Sequence, residues 1–219
     1  EGTKSVVGKV FMTGVLPLLL DALTSWANNF ANVTKQKRYN EAFGFLQEDV
    51  DYVLEKIGAI EHKELAKAYY NGYIFSEDAN TKMYNSDMIL YFVKEFQDNG
   101  KLPRNLIDFN IITDYKKIES IVSSADEELE NQLIDKLLND EQIWAENLDQ
   151  SFSLVIKEEE KFNTDKILSL LYHIGYLTIC GYEQGESILK IPNYMIKSIY
   201  FEYMRKLIER KMEKDFNID

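Results

Sequence analysis

The sequence predicts a mainly α-helical chain with a small β-hairpin near its end and one isolated apolar strand near its start. Three observations lead there. Apolar residues recur at helical spacing through most of the chain, as in Val50, Val53, Leu54 and Ile57. Two short runs, Tyr176–Ile179 and Ile188–Ile191, flank the polar turn Glu183-Gln184-Gly185-Glu186, which is a hairpin signal. Val10 to Met12 is an apolar run ending in Thr13-Gly14. Such a run suits a central strand covered on both faces, yet the residues after it read as helix and supply no neighbouring strand.

Composition narrows the class. With 219 residues and 45% hydrophobic content, the chain can bury one large core or two small ones. A net charge of −12 opposes non-specific binding to nucleic acid or to anionic lipid. One cysteine, Cys180, leaves no internal disulfide framework and suits a reducing cytoplasm. No apolar stretch is long enough to span a bilayer, and the first residues lack the basic and apolar regions of a signal peptide. The start at Glu1 and the end just beyond a long helical pattern are what a fragment would show.

In chain order, Pro17 opens a predicted helix over Leu18–Phe30, because its missing N–H is harmless in a first turn. Thr34 to Tyr39 is polar and basic, with Lys35, Lys37 and Arg38 close together, and reads as an exposed loop. Helices are predicted over Gln47–Ile57 with Gly58 as the stop, over Glu61–Tyr70, and over Asp87–Phe96 with Asn99-Gly100 as the stop. Asn71-Gly72, set among aromatics, predicts a tight turn. Further helices are expected over 103–109, 114–123 and 127–139, and a strand over Ser151–Ile156. The run Glu158-Glu159-Glu160 reads as solvated surface. A helix over Asn163–His173 closes at Gly175, and Asn193 caps a long amphipathic helix. Helix, strand, helix and hairpin in this order predict a winged helix.

Several segments together carry a resemblance. They are Phe11-Met12-Thr13-Gly14-Val15-Leu16-Pro17, Asp21-Ala22-Leu23-Thr24-Ser25, Arg38-Tyr39-Asn40-Glu41 with Phe43-Gly44-Phe45, Tyr70-Asn71-Gly72-Tyr73-Ile74-Phe75, and Tyr84-Asn85. In this order the chain resembles the predicted AAA-ATPase-like family of prokaryotic P-loop ATPases, often followed by a PD-(D/E)xK nuclease-like domain. Ile74 stands where that family usually has Arg, and Ser86 where Pro is common. The resemblance implies the C-terminal part of such a protein. Residues 1–60 would hold a remnant strand of the P-loop α/β core and the start of a helical lid, 61–125 the lid, and 126–219 a winged-helix module with a long last helix.

A Walker A loop needs a glycine-rich turn ending Gly-Lys-Ser/Thr, whose backbone N–H groups and lysine hold phosphates. Gly2-Thr3-Lys4-Ser5 lacks the earlier glycine and the preceding strand, and no Walker B strand is found. By resemblance both lie upstream, so ATP and Mg²⁺ belong to the intact protein, and the missing P-loop core is the first expected partner. The resemblance places Thr13 at the carboxyl end of a strand, where a polar residue can sense the γ-phosphate; the other reading is a simple strand terminus. By the same resemblance Arg38 reaches phosphate from the lid. No catalytic residue is expected in this stretch alone.

The alternative is a non-enzymatic interaction module that docks a protein partner or the nuclease-like domain. The last helix, Tyr194–Phe216, has six Lys or Arg against three Glu and one Asp, which suits an acidic surface. Nucleic acid is disfavoured: Lys166–His173 offers one lysine, and Glu183 and Glu186 in the wing repel phosphate. His62 and His173 have no second ligand at zinc spacing, so no metal site is expected. Cys180 reads as a buried structural thiol.

Overall fold

The computed structural model describes residues 9, 18–19, 31–108, 114–123, 125, 127–139, 141–148, 152–153 and 163–216. The predicted strand Val10–Met12, Thr13, most of the predicted helix 18–30 and Glu158–Glu160 lie outside the described residues.

The chain is mainly helical with one small antiparallel sheet. Its elements run β1 (Leu18–Leu19), α1 (Gln47–Lys56), α2 (Lys63–Tyr70), α3 (Ser86–Asn99), α4 (Tyr115–Val122), α5 (Glu127–Leu138), β2 (Ile143–Ala145), β3 (Phe152–Ser153), α6 (Thr164–His173), β4 (Thr178–Glu183), β5 (Glu186–Lys190) and α7 (Tyr194–Phe216). Short 3-10 turns at Lys37–Tyr39 and Ile60–His62 precede α1 and α2.

Local signals set most of the helix ends. The α1 start is closed by Asp49, whose Oδ2 accepts the Leu46 N–H at 2.8 Å. Asn85, Asn163 and Asn193 each accept a backbone N–H three residues on, at 3.1, 2.9 and 3.1 Å, and so cap α3, α6 and α7. Gly100 ends α3 in the left-handed conformation at φ 64°. The β4–β5 hairpin turns on Gln184 and Gly185 at φ 53° and 95°, the positive pair that matches the twist of a two-residue hairpin.

Three expectations give way to longer-range contacts. Leu18–Leu19 is not the start of a helix but a strand, paired in parallel with Phe152–Ser153. Residues 103–108 are not helical; two of their carbonyls accept tyrosine hydroxyls instead, Tyr70 donating to Leu106 O and Tyr91 to Asn105 O at 3.0 Å. Asn71-Gly72 is no tight turn. Asn71 is extended (φ −86°, ψ 172°), and the chain runs on until Tyr73 forms an antiparallel bridge with Met83.

The antiparallel sheet has the order β2-β5-β4, with Trp144 opposite Ile188 and Ile179 opposite Leu189. The register slips between Ile179 and Gly181, leaving Cys180 at a bulge. One core joins the helices to this sheet: Leu54, Tyr70, Phe92, Ile118, Ile134, Leu171, Leu189 and Tyr200 all belong to it. Among the described residues no helix is long and apolar enough to cross a membrane.

Candidate functional site

The loop from Asn71 to Tyr84 lies between α1 and α3 on one side and the sheet on the other, and polar side chains tie it to both. On the first side stands Asn40, which is 2% exposed. Its Nδ2 donates to Thr81 O at 3.0 Å, and its Oδ1 accepts the Phe75 N–H at 2.8 Å. The Tyr84 N–H donates to Phe45 O at 2.9 Å, and the Tyr84 hydroxyl donates to Gln47 Oε1 at 2.8 Å. Gly44 passes so close that a Cβ there would stand 3.1 Å from Tyr84 O.

On the second side the loop meets the sheet and α7. The buried Thr178 hydroxyl accepts the Ile74 N–H at 2.7 Å and donates to Ile74 O at 3.2 Å. Tyr172 donates to Phe75 O at 2.9 Å, and Ser187 to Glu77 Oε1 at 2.6 Å. Lys35 reaches the same Glu77 oxygen at 2.6 Å with only 14% of its side chain exposed. Asn193, already the cap of α7, donates from Nδ2 to Asn71 O at 3.0 Å. Gly72 sits at φ 122°, and a Cβ on it would fall 2.1 Å from Pro192 O.

Of the segments quoted for the family resemblance, Phe11–Pro17 and Asp21–Ser25 lie outside the described residues, and the described ones lie together. Arg38-Tyr39-Asn40, Phe43-Gly44-Phe45, Tyr70–Phe75 and Tyr84-Asn85 come from three stretches of chain and meet around one loop. Asn40, Asn71, Ser76, Thr178 and Ser187 are all buried. No buried side-chain nitrogen or oxygen among the described residues lacks a hydrogen-bond partner. A node whose polar groups satisfy each other is a joint, since its hydrogen bonds are spent on fixing backbone. Burial pushes the Tyr172 hydroxyl above the usual tyrosine range, with Glu77 adding to the shift, so it acts as a donor and stays protonated.

Of the two residues expected to touch phosphate, Thr13 lies outside the described residues. Arg38 is exposed on the 3-10 turn beside the node. Its Nε donates to Gln36 Oε1 at 3.0 Å, and its guanidinium stands 4.7 Å over the Tyr39 ring. Two residues along, Asn40 anchors that turn, so Arg38 rides on the rim of the joint.

Elsewhere two shallow clefts are small by the standard of ligand sites. One of about 270 Å³ lies between α4 and α7, where Lys206 and Arg210 are engaged by Glu209 and Glu119. The other, about 260 Å³, lies beside Tyr91 and Arg104. His62 stands 3.5 Å from Glu61 and edge-on to Phe96, and His173 packs edge-on to Tyr172 in the last turn of α6. No group of three or more His, Cys, Asp or Glu among the described residues could hold a metal. Cys180 is a half-buried free thiol, raised by burial against the lowering effect of Lys190.

Sequence reasoning missed Thr178, Ser187 and the second role of Asn193, whose partners lie 104, 110 and 122 residues away. The one signal available was the density of asparagine, glycine and tyrosine around positions 70–85. No protein-family model matches the chain, and neither a curated protein nor a solved structure does.

Proposed function

We propose that this chain is the helical lid and winged-helix portion of an AAA-type P-loop ATPase, and that it is inactive alone because it carries neither Walker A nor Walker B. The observation that supports this reading is that the described resembling segments, around Asn40, Gly44-Phe45 and the two ends of the Asn71–Tyr84 loop, meet at one buried joint. Residues that share a structural task in space, from separate stretches, are what a family motif set should look like when folded. The sheet order β2-β5-β4, with α6 ahead of the hairpin and α7 behind it, supports a winged helix in the same way. On this reading the joint couples the lid to the winged helix as one stiff body, and Mg²⁺-ATP is bound mainly by the P-loop core. Arg38 on the rim stabilises phosphoryl charge when the core closes, and Thr13 senses the γ-phosphate.

The test has two arms. The reading frame upstream of Glu1 is expected to encode a Gly-Lys-Ser/Thr loop. The protein containing that loop should hydrolyse ATP, whereas the 219-residue chain should release no phosphate above the blank. Arg38→Ala in the longer protein is expected to lower kcat by about tenfold or more while its melting temperature holds. An upstream frame without the loop, or hydrolysis by the 219-residue chain itself, overturns the reading.

A second reading, a non-enzymatic module that docks a protein partner or a nuclease-like domain, draws on one observation. The outer face of α7 exposes Tyr194, Phe201, Ile208 and Met212. Retention of the nuclease-like domain by the chain at moderate salt would favour it.

A further inference from the structure

The last helix has two apolar faces. One is the core face, where Met195, Ile196, Ile199, Tyr200 and Tyr203 are buried. On the other, Tyr194, Phe201, Ile208 and Met212 remain 58%, 53%, 49% and 54% exposed. At 3.6 residues per turn these four fall within about 40° of one another, along roughly 27 Å of helix. The seam they mark reads Tyr194, Ser198, Phe201, Arg205, Ile208, Met212, with spacings that alternate four and three. That alternation is the heptad signature, with Tyr194, Phe201 and Ile208 at d and Ser198, Arg205 and Met212 at a. A surface helix needs one apolar stripe to hold it to its own core, and a second stripe at heptad spacing calls for another helix.

We propose that this face of α7 pairs with the same face of a second copy, as a short parallel two-stranded coiled coil. Charge selects both the occupant and the direction. In the parallel arrangement Lys197 at g lies against Glu202 at e of the second copy, and the reciprocal pair forms on the other side. The antiparallel register that covers the most apolar surface stacks Tyr194 on Met212 and Phe201 on Arg205, but it sets Glu202 against Glu202. Arg205 faces itself in the parallel coil. Each guanidinium, however, already carries two carboxylates, Glu202 at 2.5 and 2.9 Å and Glu209 at 2.5 Å. Ser198 and Arg205 make two of the three a positions polar, and polar residues there fix register and strand number while lowering stability, so the dimer is specific and weak. The core face of α7 lies on the opposite side of the helix; on the seam itself the Tyr194 ring stands 5.8 Å from that of Tyr69, and the Lys197 ammonium 5.9 Å over the Phe201 ring, yet both aromatic side chains stay more than half exposed. This inference stands independently of the ATPase reading.

Sedimentation velocity of the 219-residue chain over a concentration series tests it. A reversible shift from monomer to dimer is expected. The double substitution Phe201→Glu with Ile208→Glu should raise the dissociation constant at least about tenfold, with an unchanged far-ultraviolet circular dichroism spectrum, because neither side chain enters the core. Lys197→Glu alone should weaken the dimer, and mixing it with Glu202→Lys should restore association between the two variants. A chain that stays monomeric at every concentration overturns the proposal. So does a dimer insensitive to the double substitution, or one that Lys197→Glu tightens, the result an antiparallel pair would give.

Discussion

The amide of Asn40 is bonded at both ends inside the protein, as donor to Thr81 O and as acceptor from the Phe75 N–H. Asn40→Ala removes both bonds and leaves the half-buried Phe75 N–H without its partner, whereas Thr81 is exposed and its carbonyl can turn to water; the loss expected in urea titration is about 1–3 kcal/mol. Asn40→Asp keeps the shape and the acceptor but turns an oxygen toward Thr81 O. It should lose a similar amount, which separates a hydrogen-bonding role from simple packing. Glycine replacements make a second contrast. Gly58 and Gly72 both have positive φ, but a Cβ meets nothing within 4 Å at Gly58 and meets Pro192 O at 2.1 Å at Gly72. Gly58→Ala should cost about 1 kcal/mol from backbone conformation alone. Gly72→Ala must also push the loop off the segment leading into α7, and is expected to cost about 3 kcal/mol or more.

Among the elements, the asparagine caps are alike in geometry but differ in what else they hold. Asn85 accepts the Met88 N–H and Asn193 the Ile196 N–H, and both side chains also meet the Tyr73 hydroxyl, but Asn193 alone of the two donates to Asn71 O as well. Asn85→Ala should therefore cost about 1 kcal/mol, the usual loss of a cap, and Asn193→Ala about twice that, read from thermal or urea unfolding. The same contrast explains what the residues reveal in advance. Caps and stops act within one turn, so the sequence marks the cap at Asn193 and the stops at Gly58 and Gly100, while the capping roles of Asn85 and Asn163 emerge only in the structure. The hairpin is legible because Gln184-Gly185 sits between two strand-like runs. Leu18–Leu19, Asn71-Gly72 and 103–108 meet partners outside their own turn of chain: Phe152–Ser153, Pro192 with Met83, and the Tyr70 and Tyr91 hydroxyls. Of the joint, the motif-rich 70–85 loop is visible in sequence, and its counterparts Thr178 and Ser187 are not. A threonine in a strand and a serine in a strand look the same whether they bond a distant loop or water.

At the scale of the whole molecule, tyrosine hydroxyls buried in the shared core make stability depend on pH. Burial raises Tyr70, Tyr172 and Tyr200 above their ordinary value of 10.0. In the unfolded chain these groups lose their protons from about pH 10, while in the folded chain they keep them. Their contribution to stability is thus fully present below pH 10 and is lost as pH rises beyond it. The urea midpoint should hold through mildly alkaline conditions and fall above about pH 10. Tyr172→Phe should shift the plateau down by about 1 kcal/mol for the lost bond to Phe75 O, and should make the alkaline fall shallower.

The bulge at Cys180 turns a sheet irregularity into a clock. The thiol is unique in the chain and half-buried, and burial raises its pKa, so both access and thiolate fraction slow its reaction with a maleimide. Labelling near neutral pH should run well below the rate of a free thiol peptide. It should accelerate in denaturant below the unfolding midpoint if β4 opens on its own, and only at the midpoint if the sheet opens with the rest. The rate of one chemical step thereby reports how long the strand beside Thr178 stays closed, and with it how firmly the loop and the sheet are held together.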